Sequence, residues 1–226
     1  MAGIGLYGVF YSKCVKTGGV TTGYDGEVKL MGKAVAADFE ANTPEDNPLY
    51  ANNGVAENNA SSGSGGTLSV TLDRMTLETS SELYGTTVEE VSVQVGEEAV
   101  SGTEIIYKGD EVSAPVGTAY IKLHQEDGER IHEVVFYREV MYTRPSDAAQ
   151  TMGESIEWQT PEIEGIVAGM QGDGTEPWYR KSRWPSQTAA IAYIYHLFGT
   201  SIDAAQAQAI ADDLNEGEEG DGDVTV

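Results

Sequence analysis

Cysteine is all but missing from this chain. Cys14 stands alone, so no intramolecular disulfide forms and no thiolate-based zinc spacing exists. Cations are scarce as well: thirteen Lys and Arg face thirty-seven Asp and Glu, a formal charge of −24. Long apolar runs are absent, so no segment reads as a membrane-spanning helix. No basic residue precedes the first apolar stretch, so a secretory leader is not expected and folding in a reducing cytoplasm is. Histidine is rare too, with only His124, His132 and His196.

The shortage of cations excludes whole classes of partner. Nucleic-acid binding rests on neutralising phosphates with Lys and Arg, and anionic membrane surfaces demand the same. Eight acidic residues follow Arg183, the last basic residue, but sixteen of the net negative charges lie before that point. The acidity therefore belongs to the body of the protein. Solubility is its plain consequence. A surface that must not hold DNA is the sharper one.

What is present is mostly period-two alternation. Ile4 to Val15 reads as a strand, Val28 to Met31 as a short one, and Lys33 to Ala41 places Val35, Ala37 and Phe39 on one side. Asn42 to Gly66 shifts to Asn, Gly, Ser and Pro, about two dozen residues of extended hairpin or loop. Thr67 to Met75 turns Leu68, Val70 and Leu72 one way. Leu77 to Tyr84 predicts a short helix capped by Thr79 or Ser80 and ended by Gly85. Val88 to Val95 puts Val91, Val93 and Val95 on one face, and Ile105 to Tyr107 continues the strands.

Val116 to Tyr142 carries the strongest local signal. Two β-prone runs flank Asp127-Gly128, a favoured two-residue hairpin turn. The implied register sets residue 126 opposite 129, 123 opposite 132, and 121 opposite 134. One face then holds Ala119, Ile121, Leu123, His132, Val134 and Phe136. The other holds Tyr120, Lys122, His124, Ile131, Glu133 and Val135, with Lys122 facing Glu133 as a favourable pair. Ser155 to Thr160 and Ile163 to Met170 are further strand candidates.

After Trp184 the period becomes helical. Pro185 suits a first turn, Ile191, Ile194, Tyr195 and Phe198 form a stripe, and Gly199 caps it. A second helix follows from a Ser201 cap to about Leu214. Glu216 to Val226 is Gly, Asp and Glu with nothing to bury, so disorder is expected there. The organisation read from these patterns is a β domain over 1–184 with a long loop at 42–66, a helical pair over 185–215, and an acidic tail over 216–226. The fold class is mainly β, a sandwich or barrel with one short flanking helix and two C-terminal helices.

Chemistry is hard to find. His124 and His132 point to opposite faces of the predicted hairpin, so they share no metal. Gly3, Gly5 and Gly8 match G-x-G-x-x-G, but no strand precedes them and no helix follows. Gly63, Gly65 and Gly66 lack the Lys-Ser/Thr of a phosphate loop. Pairs such as Glu89-Glu90 and Glu97-Glu98 arise readily by chance in so acidic a chain. Asp221 and Asp223 lack the rest of a calcium loop, and Asn59-Ala60-Ser61 is a glycosylation triplet with no export signal. No catalytic, cofactor-binding or metal-binding residue is assigned, and no enzymatic role is expected. Trp178, Tyr179, Arg180, Lys181, Arg183 and Trp184 form the one dense basic-aromatic cluster. It reads as a stacking site, as an interface for an acidic neighbour, or as a packed connector.

Three segments taken in order carry a resemblance. They are Gly3-Ile4-Gly5-Leu6-Tyr7-Gly8-Val9-Phe10-Tyr11-Ser12-Lys13, then Ser69-Val70-Thr71-Leu72-Asp73 after the long loop, then the hairpin through His132-Glu133-Val134-Val135-Phe136-Tyr137-Arg138-Glu139-Val140 to Thr143-Arg144-Pro145. Glu154 to Thr160 and Glu162-Ile163-Glu164 fit as well. The sequence from Ile4 to Val167 resembles the major tail proteins, the tail tube subunits, of siphophages. That resemblance implies a structural virion protein, assembled in the host cytoplasm, that forms hexameric rings stacking into a tube. It implies that the 42–66 loop reaches a neighbouring ring and that DNA passes the lumen without specific binding. It also implies contacts with tape measure, tail terminator and distal tail proteins, and none with membrane. The inner tube of a contractile tail is a near relative of this reading. A monomeric β-sandwich binding or adhesion module is the alternative.

Overall fold

A computed structural model describes residues 2–43, 46–51, 54–60, 64–96, 98–144, 160–172 and 174–216. The strands in chain order are β1 (Ala2–Thr17), β2 (Val20–Tyr24), β3 (Lys29–Gly32), β4 (Ala34–Ala41), β5 (Asp46–Ala51), β6 (Gly54–Ala60), β7 (Gly66–Leu72), β8 (Thr87–Val95), β9 (Glu98–Ile106), β10 (Pro115–Glu126), β11 (Glu129–Tyr142), β12 (Glu162–Val167) and β13 (Tyr179–Trp184). Three helices join them: α1 (Leu77–Tyr84), α2 (Gln187–Leu197) and α3 (Ala204–Asn215). The mainly β class with a few helices is therefore present.

Nine strands share one antiparallel sheet in the order β2-β1-β10-β11-β12-β7-β4, with β13 on β11 and β3 on β1. The run from Lys29 to Ala41 closes it. Its first part, β3, pairs with β1, and its second part, β4, pairs with β7. The switch falls at Lys33, whose N–H donates to Asp73 Oδ1 and whose carbonyl accepts from the Asp73 N–H, both at 2.9 Å. One chain segment thus bridges the two ends of the sheet, and the sheet becomes a barrel. Closure through β3 shortens the open edge that invites aggregation, while β2 and β13 each keep one unpaired edge among the described residues.

The hairpin at Asp127-Gly128 forms in the expected register, with Glu126 opposite Glu129, Leu123 opposite His132 and Ile121 opposite Val134. Both turn residues have positive φ, 51° and 87°, the conformation a two-residue turn of this hand requires. His124 and His132 do fall on opposite faces. Both faces of the hairpin, however, are buried. Tyr120 and Val135 point into the barrel, while Ala119, Ile121, Val134 and Phe136 point outward under the C-terminal helices. The Lys122–Glu133 pair is opposed in register, yet the Glu133 carboxylate lies 3.6 Å from His124 and 3.8 Å from Arg183. β13 brings Arg183 there, which the hairpin alone did not show.

The barrel interior holds Val9, Tyr11, Leu68, Val70, Leu72, Val140, Tyr142 and Ile163, plugged by Leu83 and Tyr84 of α1. Each such aliphatic side chain contributes about 1.5–3 kcal/mol by leaving water. Outside, α2 and α3 cover the β1-β10-β11 wall through Ile191, Ile194, Phe198, Ala207 and Leu214. Phe198 meets Tyr24 edge-on at 5.0 Å and Phe136 at 5.5 Å. Gly117 makes room for them, since a Cβ there would stand 2.4 Å from the Tyr24 ring.

Several local expectations change. The α1 cap is Thr76, whose hydroxyl accepts from Thr79 N–H; Thr79 and Ser80 lie buried within the helix itself. Ser186 caps α2 just after Pro185, and the helix ends at Phe198 with left-handed Gly199 following. α3 is capped by Asp203 rather than Ser201, in a reciprocal box with Gln206, which satisfies two orphan donors at once. A bulge between Ala34 and Ala36 throws Val35 out to 56% exposure, away from Ala37 and Phe39. Of the extended hairpin or loop expected over 42–66, the hairpin is present as β5 paired with β6, and Gly66 already belongs to β7. The 155–159 part of the Ser155–Thr160 strand and the 217–226 part of the acidic tail lie outside the described residues.

Candidate interaction surface

Two walls of the barrel are treated differently. The β1-β10-β11 wall lies under α2 and α3. The β4-β7-β12 wall carries no described element on its outer face. Strand alternation sends Leu68, Val70, Leu72, Ile163 and Val167 inward and leaves a grid of nine outward residues. Ladder pairing sets its rows as Ala36–Thr71–Glu162, Asp38–Ser69–Glu164 and Glu40–Thr67–Ile166. Asp38, Glu40, Glu162 and Glu164 are all exposed, and the grid contains no cation.

The arrangement spaces its charges. Each carboxylate is paired across the ladder with a hydroxyl of the central strand, never with another carboxylate. Asp38 and Glu164 are two strands apart, about 9.6 Å, so direct like-charge opposition is avoided. Ser69 donates to Glu162 Oε1 at 2.8 Å. One rim of the grid is apolar, where Ile166 at 61% exposure neighbours Met141 at 38%. The result is an anionic plate that adheres poorly to polyanions, with an apolar border suited to protein contact.

Sequence reading assigned these four residues no surface role, although Glu162 and Glu164 fell within the resemblance. Their signal was present as Asp38-x-Glu40 and Glu162-x-Glu164, carboxylates at strand spacing, but pairs of acids were discounted as chance. Only the pairing of β4 and β12 on either side of β7 brings them together.

Two carboxylates, half-buried Glu82 and buried Glu139, act within the fold. Glu82 accepts from Tyr11 Oη at 2.7 Å, Lys29 Nζ at 2.7 Å and Lys13 Nζ at 3.1 Å, tying α1 to β1 and β3. Burial opposes its ionisation, but the hydrogen bonds from Lys29, Tyr11 and Lys13 outweigh it and hold the carboxyl at about 2. Its contribution is therefore complete above the ordinary value near 4.5 and is lost as pH falls toward 2. Solvent reaches 16% of its side chain, so screening reduces its worth to about 2 kcal/mol. Glu82→Gln is expected to lower stability at pH 7 by that amount and to flatten its decline between about pH 5 and pH 2, read by urea unfolding across pH. Glu139, though buried, is likewise held down by Gln171, Lys16 and Thr21.

The basic-aromatic cluster is not an open stacking platform. Tyr179 packs on Phe39, Tyr137 and Trp178, and Trp184 on Tyr193 at 4.7 Å. The aromatics serve the core, as a packed connector would, and the cations stay outside. Of the histidines, His132 is buried against Tyr7, its basicity lowered by burial and by Arg130. His196 is exposed on α2. Gly3, Gly5 and Gly8 lie within β1 itself. Among the described residues no group of three or more His, Cys, Asp or Glu is placed to hold a metal, and no helix is long and apolar enough to cross a membrane.

The sequence matches no model of a known protein family, and no curated protein matches it.

Proposed function

We propose that this protein is a structural tail tube subunit of a siphophage, polymerising as stacked rings around a bore through which DNA passes. The bare anionic plate on β4-β7-β12 carries the reading. A β wall covered by helices on one side of the barrel and left open on the other suits a ring. The helices face out, and the uncovered sheets of successive subunits form the inner surface. Carboxylates and small hydroxyls on that surface repel phosphates at every step, so DNA slides without sticking. The β5-β6 hairpin supports the same reading as an arm available to the next ring, in a head-to-tail contact of the kind open polymers need.

Negative-stain electron microscopy of the purified protein over rising concentration, with mass in solution, tests the proposal. Rings or tubes with a central hole are expected. A particle of the single chain's mass at every concentration would instead favour a monomeric β binding module.

A further inference from the structure

The hairpin β8-β9 is exposed along most of its length. Among the described residues its strands pair only with each other, run about 30 Å, and are solvent-accessible on both faces over 89–95 and 98–104. A lone two-stranded ribbon is marginally stable in water. One face nonetheless bears an apolar stripe: Val91, Val93 and Val95 with Val100, which sits directly opposite Val93. Their exposures reach 62%. Three glutamates, Glu89, Glu98 and Glu104, share the face of the stripe and Glu90 stands on the other face, and the hairpin strands contain no Lys or Arg.

The chain also carries a surface of matching character. A cleft of about 510 Å³ lies between the tip of the β10-β11 hairpin and the end of β13, lined by Arg130, Ile131, Arg183, Trp184, Pro185 and Glu129. Lys181 is exposed on the same strand. The Arg183 guanidinium stands 3.9 Å from Glu126 and 3.8 Å from Glu133, beyond close hydrogen-bonding distance. Among the described residues β13 pairs with β11 alone, which leaves its other edge for an added strand. In a chain of −24, this strand and cleft gather the densest run of cations.

We infer that the β8-β9 arm of one copy docks along β13 and into this cleft on a second copy. The valine stripe meets Ile131 and Trp184, and the arm's glutamates meet Arg130, Lys181 and Arg183. Arm and cleft are different surfaces, so each copy offers both, and the contact propagates from subunit to subunit. This names the lateral contact within a ring and rests on the tube reading for that placement.

Two charge-reversed proteins test it. One carries Glu89→Lys, Glu90→Lys, Glu98→Lys and Glu104→Lys; the other carries Arg130→Glu, Lys181→Glu and Arg183→Glu. Sedimentation and electron microscopy should show neither associating alone, because like charges then meet at every contact. An equimolar mixture should associate, because each arm then finds a cleft of opposite sign. A third protein, Val93→Thr with Val100→Thr, keeps shape and charge and should weaken association at least about tenfold. Unchanged melting curves establish that the folds are intact. Assembly of the arm-reversed protein as rings or tubes like the wild type would overturn the arm while leaving the tube reading standing. Failure of the mixture to associate would overturn it as well. Wild-type copies that associate through arm and cleft only as short oligomers would keep the arm and sink the tube.

Discussion

Tubes built from a subunit carrying Asp38→Lys, Glu40→Lys, Glu162→Lys and Glu164→Lys are expected to capture duplex DNA that wild-type tubes release. All four positions are exposed and make up the charge of the bare plate. Among the described residues the one side-chain hydrogen bond lost is that from Ser69 to Glu162, itself exposed, so each change should cost within about 0.5 kcal/mol of stability. The electrostatic effect is far larger. Each subunit gains eight units of positive charge on one face, and in the proposed tube several subunits would present that face to the same strand. With about 6–10 phosphates contacted, affinity falls roughly 10³- to 10⁵-fold between 50 and 200 mM salt. Capture should therefore be strong at low salt and reversed by salt. Nuclease protection locates the DNA, since molecules held in a bore resist digestion. Asp212→Lys with Asp213→Lys, on the exposed side of α3, provides the outer-surface comparison, and DNA held there should be digested. Reversed tubes that hold no protected DNA would show that the plate faces elsewhere.

The parts of this structure legible in the sequence are those whose physics is local. Asp127-Gly128 fixed a turn, the turn fixed a register, and that register holds from Glu126–Glu129 to Thr118–Tyr137, where a bulge shifts it by one. Leu68, Val70 and Leu72 announced an inward face that is fully buried. The helical stripe of Ile191, Ile194 and Phe198 packs as read. What stayed hidden depends on distant partners. Alternation shows which residues share a face but not whether anything covers it. Val91, Val93 and Val95 therefore read like Leu68, Val70 and Leu72, yet stand exposed. The same limit concealed the second buried face of the hairpin, which exists because α2 and α3 return from about sixty residues later to cover it. The choice between sandwich and barrel was equally hidden, because closure turns on a switch of partner at Lys33 that no composition marks.

Excision of residues 44–63, with Asn-Gly joining Thr43 to Ser64, is expected to leave a subunit as stable as the wild type that forms no stacked tube. The stability half follows from the base of the insertion. Asn42 N–H donates to the Gly65 carbonyl at 3.1 Å, and its side-chain amide donates to the Ser64 carbonyl at 3.2 Å, so the two ends already meet as a turn requires. Gly65 and Gly66 must be kept. Gly66 pairs within the β7 ladder, and a Cβ at Gly65, where φ is 80°, would stand 2.6 Å from the Val167 carbonyl oxygen. β5 and β6 bond only to each other among the described strands, so the barrel ladder loses nothing. Closing a shorter loop costs less entropy, and the shortened chain should gain about 1 kcal/mol. A chemical-unfolding midpoint equal to or above that of the wild type is the expected reading. The assembly half separates two contacts. If β5-β6 reaches the next ring while β8-β9 joins neighbours within a ring, the excised protein should still give rings in the electron microscope but no tubes. Tubes of normal length would remove the stacking role from β5-β6, and loss of rings as well as tubes would assign lateral association to it instead.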